Sequence, residues 1–207
     1  MLRVGLTGGI ASGKSAVAAM LRERGYDVLD ADSLGHELMR PGQAAYDDIV
    51  REFGRDVLAA DLSVDRAKLG AIVFGDAEKR TALNRILHPR ILDAVQRWFA
   101  ALDRVGGPAF AFVEAALLVE AGYRSVLDRL VVCWTKPEQQ IERLVARGLS
   151  AEQARSRVAA QMPVEEKRRA ADHLIDCSGS PAETEQQVEK LLETLRHSAS
   201  STPGNIS

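Results

Sequence analysis

The residues best placed to do chemistry come first in the chain. Gly8-Gly9-Ile10-Ala11-Ser12-Gly13-Lys14-Ser15 reads G-x-x-x-x-G-K-S, the pattern of a phosphate-binding loop or P-loop. Glycines let the backbone turn tightly enough for several N–H groups to converge on one anion. A helix starting at such a loop adds its own N–H groups and the positive end of its dipole. Lys14 has the reach for the outer phosphates of a nucleoside triphosphate, and Ser15 offers a hydroxyl to Mg²⁺. The plainer alternative is a glycine-rich turn beside a surface lysine. The flanks oppose it: Leu2 to Thr7 is a mostly apolar strand candidate, and Val17, Met20 and Leu21 follow at helical spacing. The loop predicts triphosphate binding and leaves the reaction open.

Carboxylates come next. Val28-Leu29-Asp30-Ala31-Asp32 ends a second strand candidate. Residues two apart on a strand share a face, so Asp30 and Asp32 are expected on one side, unless Asp32 already opens the following loop. Ligands of open parallel sheets sit beyond the carboxyl ends of the strands, where such a carboxylate can orient a hydroxyl and take its proton. A purely structural Asp32 would cap the helix beginning near Leu34, a job Ser33 could do as well. Phe110-Ala111-Phe112-Val113-Glu114 ends a third strand, and Glu114 falls where an acid could hold a Mg²⁺-bound water. Glu120 is the next acid along and could contact a second substrate.

Positioning these groups takes an α/β fold. Strand candidates recur at Val4–Thr7, Asp27–Asp30, Ala109–Glu114, Leu130–Trp134 and Leu174–Ile175, separated by helical stretches, which predicts a parallel sheet with helices on both faces. About 75 mostly helical residues separate the second strand from the third, expected at Leu34–Met39, Ala44–Phe53, Arg66–Phe74 and Glu78–Leu102, a candidate place for a second substrate. From Arg143 to Arg169 the chain is basic. Ser150-Ala151-Glu152-Gln153 is a capping-box signature there, and the segment suits a helical lid over phosphates. A solvated, salt-bridged face is the plainer reading for most of its cations, Lys167 included. Arg143 and Arg147, one helical turn apart, are nearest the expected phosphate site.

Composition narrows the classes. At 207 residues the chain suits one α/β domain with inserts. A net charge of −2 argues against general nucleic-acid binding. No apolar run approaches a membrane span, no signal peptide is expected, and Cys133 and Cys177 form neither a disulfide framework nor a metal spacing. A reducing, cytoplasmic setting and a monomer are expected, with Cys133 a plain core residue. The small polar residues from His197 on are expected to be a disordered tail, with the folded domain ending at 197 and the tail at 198–207.

The whole set resembles the dephospho-coenzyme A kinase family. The resemblance is carried by Gly5 to Ser15, Asp30-Ala31-Asp32, Leu87-His88-Pro89-Arg90-Ile91, Leu117-Leu118-Val119-Glu120, Arg143 and Arg147 in the Gln140–Arg147 segment, Gln161, and Ala171-Asp172-His173-Leu174-Ile175-Asp176. It spans residues 2–197. It implies ATP-dependent phosphorylation of the ribose 3′-hydroxyl of dephospho-coenzyme A, with Mg²⁺. It also implies a P-loop core with a five-stranded parallel sheet (2–32, 108–140 and 171–197), a helical substrate-binding insert (33–107) and a lid (141–170). By position, Asp32 is the base. Lys14 and Arg143 stabilise the transferred group, with Gly8, Gly9, Ala11, Ser12, Gly13, Lys14, Ser15, Ala16 and Arg147 holding ATP. Asp32, His88 and Glu120 face the second substrate, and Ser15 and Glu114 the metal. His88 could instead be structural, ending a helix before Pro89. Three positions depart from the family pattern: Glu114-Ala115-Ala116 stands for Asp-x-Pro, Cys177 for Asn, and Ala11 for Gly.

Two rivals share the loop. Another small-metabolite or nucleotide kinase would differ only in its acceptor. A GTP-binding switch protein would read guanine with Thr135-Lys136-Pro137-Glu138 and use Asp32-Ser33-Leu34-Gly35 as D-x-x-G, although Asp32 lies close to the P-loop for that and Pro137 more simply starts a helix.

Overall fold

A computed structural model describes residues 1–200. In chain order the elements are β1 (Leu2–Gly8), α1 (Lys14–Glu23), β2 (Val28–Asp30), α2 (Ala31–Leu38), α3 (Tyr46–Phe53), α4 (Arg66–Gly75), α5 (Ala77–Arg104), β3 (Phe110–Glu114), β4 (Arg129–Trp134), α6 (Pro137–Ala146), α7 (Ala151–Ala159), α8 (Val164–Ala170), β5 (His173–Asp176) and α9 (Pro181–Ser200). The strands form one five-stranded parallel sheet in the order β2-β3-β1-β4-β5. The chain divides into two compact units, Met1–Leu29 with Phe99–Ser207, and Asp30–Trp98.

In the first unit β1 lies at the centre of the sheet, and β3 is buried along its whole length. A strand covered on both faces needs a continuous apolar run, which is why Phe110-Ala111-Phe112-Val113 shows no polar alternation. Register places Leu6 beside Glu114 and Gly8 beside Cys133, so both neighbours of β1 end where the P-loop begins. Helix α1 buries Val17, Ala18 and Leu21. Helix α9 buries Thr184, Val188, Leu191, Leu192 and Leu195, a stripe at helical spacing in the same core as Val4, Leu6, Phe112 and Val131. Each of its fully buried leucines is worth about 1.5–3 kcal/mol. The helix runs to Ser200, so residues 198–200 are helix and not tail; the rest of that expected tail, 201–207, lies outside the described residues.

The second unit has its own apolar cluster of Met39, Ala45, Ile49, Val57, Leu58, Leu69 and Ile86. Helix α5 continues straight through Pro89, so the His88-Pro89 pair does not end a helix. A proline inside a helix leaves the carbonyls of the preceding turn short of N–H donors. Arg90 supplies one: its Nη1 donates to the Ile86 carbonyl at 2.7 Å. The same guanidinium donates Nε to the Ala44 carbonyl at 2.8 Å and pairs with Asp48 of α3. Arg90, read in the sequence only as part of the Leu87–Ile91 motif, thus ties that motif to the preceding turn and to α3.

Candidate active site

The loop between β1 and α1 is braced from three places in its own unit. Gln140 of α6 donates Nε2 to the Ile10 carbonyl at 2.7 Å, and Gln161 accepts from the Ile10 N–H at 2.6 Å. Arg143, also on α6, donates Nη1 to the Ala11 carbonyl at 3.1 Å and Nη2 to the Cys177 carbonyl at 2.6 Å. Gly13 starts α1 at φ 100°, and a Cβ there would lie 2.6 Å from Cys177 Cβ, so conformation and space both demand glycine. No side chain caps α1 at Gly13. A helix start without such a cap turns backbone N–H groups towards an anion. Ser12 Oγ is buried with no hydrogen-bond partner among the described residues, an orphan that a phosphate oxygen would satisfy.

Glu114 is 4% exposed and faces two cations, Lys14 Nζ at 3.2 Å and Arg22 Nη2 at 2.6 Å. The β1–β3 register makes this meeting possible by ending both strands together. Beside the loop a cavity of about 300 Å³ is lined by Ala11, Gly13, Ala16, Arg143, Arg147 and Cys177, among others. The structure thus brings together the P-loop, Lys14, Glu114, Arg143 and Arg147. Arg147 is the exposed residue that closes α6, one turn from Arg143.

Glu120 is engaged differently from expectation. It pairs at 2.8 Å with Lys167 of α8, a lysine with no exposed surface that also donates to the Ala116 carbonyl at 2.7 Å. Thr7 at the end of β1 donates to that same carbonyl at 3.2 Å. Lys167 is therefore neither a solvated nor a phosphate-facing residue of the basic segment. Burying a charge requires a partner of opposite sign, and only the contact map reveals that Glu120 provides it. Arg168 pairs with Glu165 and lies 4.2 Å from the centre of the Trp134 ring.

Asp30 and Asp32 do not share a strand face. The strand ends at Asp30, whose carboxylate caps α2 by accepting from the Ser33 N–H at 2.9 Å and hydroxyl at 2.7 Å. The cap is thus neither Asp32 nor Ser33. Asp32 stands exposed in the first turn of α2, just past the carboxyl end of β2. A cavity of about 310 Å³ in the second unit is lined by Ser33, His36, Arg40, Ser63 and Arg66, together with Glu37, Met39 and Val64. Burial and the Arg66 charge hold the His36 pKa below its usual value against the pull of Asp32 and Asp30. Half-buried His88, on α5, is likewise held low by burial. His36, Arg40 and Arg66 carried no motif, so sequence reading passed over them.

Thr135, fully buried, donates its hydroxyl to Gln139 at 2.6 Å, and Pro137 opens α6. That geometry makes a strand-to-helix turn, with Pro137 starting the helix as read. A parallel sheet whose central strand feeds a braced glycine loop, followed by a lysine and flanked by arginine, defines a P-loop nucleotide-binding protein. A sequence profile of the dephospho-CoA kinase family matches residues 2–183. The chain belongs to the dephospho-CoA kinase family. A dephospho-CoA kinase of Symbiobacterium thermophilum is 48% identical over 187 residues, which cover 90% of this chain and 78% of that one. A Thermus thermophilus protein of known structure superposes with a TM-score of 0.80 at 32% identity, covering 93% of this chain and 96% of that one. The dephospho-CoA kinase of Campylobacter jejuni gives a TM-score of 0.70 at 28% identity, covering 95% and 98%. Among the described residues no helix is long and apolar enough to cross a membrane.

Proposed function

We propose that the chain transfers the γ-phosphoryl group of ATP to the ribose 3′-hydroxyl of dephospho-coenzyme A, giving coenzyme A and ADP. The observation that carries this reading is the braced loop: Gln140, Gln161 and Arg143 fix its backbone at Ile10 and Ala11, and Lys14 is held beside it by Glu114. Phosphoryl transfer needs positioning and charge neutralisation far more than covalent help, and a fixed loop backbone supplies the positioning without reorganising. Gly8, Gly9, Ala11, Ser12, Gly13 and Ala16 surround the ATP phosphates, and Arg147 lines the cavity beyond them.

Lys14 leaves Glu114 for the β- and γ-phosphates, and Arg143 adds a second positive charge as the phosphoryl group moves. Asp32 orients the 3′-hydroxyl and takes its proton. The second unit, with the cavity lined by His36, Arg40 and Arg66, receives the anionic second substrate. His88 and Glu120 contact that substrate, Glu120 from its pair with Lys167. The donors suit Mg²⁺: Ser15 would offer its exposed hydroxyl, and Glu114, whose two oxygens face Lys14 and Arg22, would hold a metal-bound water. Bound there with ATP, Mg²⁺ would neutralise charge on the β- and γ-oxygens. Two free cysteines suit a reducing compartment, in keeping with a cytoplasmic enzyme, and we expect a monomer.

A coupled assay tests the proposal. ATP consumption with Mg²⁺ should require dephospho-coenzyme A, fail with AMP, shikimate or gluconate, and leave the new phosphate on the ribose 3′-oxygen. Turnover with one of the other acceptors in its place would assign the site to a different small-metabolite kinase.

A further inference from the structure

One nucleophile in the loop region has no part in that chemistry. Cys177 follows β5, is 5% exposed, and lines the same cavity as Ala11, Gly13 and Arg143. Its backbone is held on both sides, the N–H donating to the Trp134 carbonyl at 2.8 Å and the carbonyl accepting from Arg143 at 2.6 Å. Its sulfur lies 2.9 Å from the place a Gly13 Cβ would occupy. A second thiol, Cys133 of β4, sits with it in one apolar cluster and is completely buried.

We propose that Cys177 is a hydroperoxide-reactive thiol built into the nucleotide site, and that its conversion to the sulfenic acid shuts that site. The proposal rests on the P-loop reading above. Reactive thiols lie near positive charge, in contact with a cavity and beside a second thiol. Cys177 lines its cavity with Arg143 and shares an apolar cluster with Cys133, and its sulfur lies 3.9 Å from the Ile175 carbonyl oxygen. A hydrogen bond from Cys133 pulls the Cys177 pKa down, burial opposes it, and the Arg143 charge and the Thr184 hydroxyl add to the lowering against Asp176. The same bond, with burial, pushes Cys133 up, so the buried partner keeps its proton.

In the reaction the Cys177 thiolate attacks the terminal oxygen of a hydroperoxide. An S–O bond forms and the O–O bond breaks. The departing oxygen keeps the electron pair and takes up the proton the thiol released, leaving as water or an alcohol. Sulfur is oxidised by two electrons and the peroxide reduced by two. The new oxygen has no room on the Gly13 side, where even a methyl group would touch the sulfur. It must enter the cavity beside Arg143, where it competes with phosphate oxygens, or push the loop away from its brace.

The test compares reduced and peroxide-treated protein by ATP affinity and peptide mass. Reduced protein should bind ATP; failure at this stage overturns the P-loop reading and not the oxidation proposal. One equivalent of hydrogen peroxide should then add one oxygen at Cys177, trapped by a dimedone-type reagent. ATP affinity should fall at least tenfold and recover with dithiothreitol, and saturation with ATP beforehand should slow labelling. A product lighter by two hydrogens and bridging Cys177 to Cys133 supports the same assignment, because it forms through the Cys177 sulfenic acid. Met20 lines the same cavity, so Cys177→Ser is the control: its ATP affinity after peroxide should equal its own affinity before. Cys133→Ala should slow the labelling of Cys177 by about three- to tenfold, as the thiolate fraction falls. First labelling at Cys133, oxidation of Cys177 without loss of ATP affinity, or equal inactivation of Cys177→Ser would overturn the proposal.

Discussion

Replacing Glu114 by glutamine removes one buried negative charge and keeps the side chain's shape. At 3.2 Å and an effective dielectric of about 20, the gross attraction of this carboxylate to Lys14 is about 5 kcal/mol. Desolvation of the two groups offsets most of that gain, so the pair adds little while intact. Removing one member is different, because the other loses its counter-charge while still largely shut off from water, at a cost of about 3–5 kcal/mol for a fully buried pair. Lys14 keeps 13% of its side chain exposed and Arg22 keeps 42%, so Lys14 carries nearly all of the penalty. The expected loss is about 3 kcal/mol, the low end of that range. The two tryptophans fall in different units, Trp134 on β4 and Trp98 in the second unit. A Trp98→Phe background therefore makes urea unfolding followed by fluorescence a report on the first unit alone. ATP phosphates can take over the role of the carboxylate toward Lys14, so saturating ATP should raise the midpoint more in Glu114→Gln than in the parent. A destabilisation under about 0.5 kcal/mol, the range of an ordinary surface substitution, would refute the reasoning. So would equal ATP increments in the two proteins.

Asp32→Asn should leave ATP binding nearly intact and lower turnover by roughly 10²–10⁴-fold, the scale of a lost general base; near-normal turnover would remove Asp32 from the mechanism. Ala11 holds φ 57°, a left-handed conformation costing an L-residue about 1–2 kcal/mol, while glycine there gives back about 0.4–1 kcal/mol through the unfolded chain. Ala11→Gly should therefore stabilise the first unit by about 0.5–1 kcal/mol on the Trp134 signal, and a loss of stability would show that the left-handed turn is unstrained. For His88 the folded pKa lies below the unfolded one because of burial, so the unfolded chain takes the proton first as pH falls below about 6.5. Stability is thus lost as pH drops through that window, and His88→Gln should flatten this limb when Trp98 fluorescence is followed in a Trp134→Phe background. An unchanged limb would assign it to His36 of the same unit, whose pKa is also lowered.

Much of this was legible in the chain. Every strand candidate lies within two residues of an observed strand, because buried parallel strands must be continuous apolar runs bounded by turns. The Ser150 capping box forms as read, and Pro137 opens α6, since both signals act within one turn of helix. The misjudged places needed information from further away. Whether Asp30, Asp32 or Ser33 caps α2 depends on where β2 releases the chain, a one-residue choice that periodicity does not settle. The helix expected over Glu78–Leu102 does run through Pro89, and the alternative of a stop there fails because Arg90 reaches back to the stranded carbonyl and across to Ala44; the last residues before 201 extend the apolar stripe of α9 as helix.

The sequence by itself determined that there is a phosphate loop, which side chains it carries, and the strand–helix alternation that puts it at the head of a parallel sheet. Those properties are local: spacing, glycine, hydrophobic period. Only the tertiary structure decided that Gln140, Gln161 and Arg143 brace the loop, that Lys14 rests on Glu114, that Lys167 is buried against Glu120, and that Cys177 stands beside Cys133 under Gly13. Partners such as Ile10 and Gln161, or Gly13 and Cys177, are separated by most of the chain. Buried charges and polar groups must find each other across that separation, and which ones meet is set by strand register and helix packing, quantities no local pattern encodes.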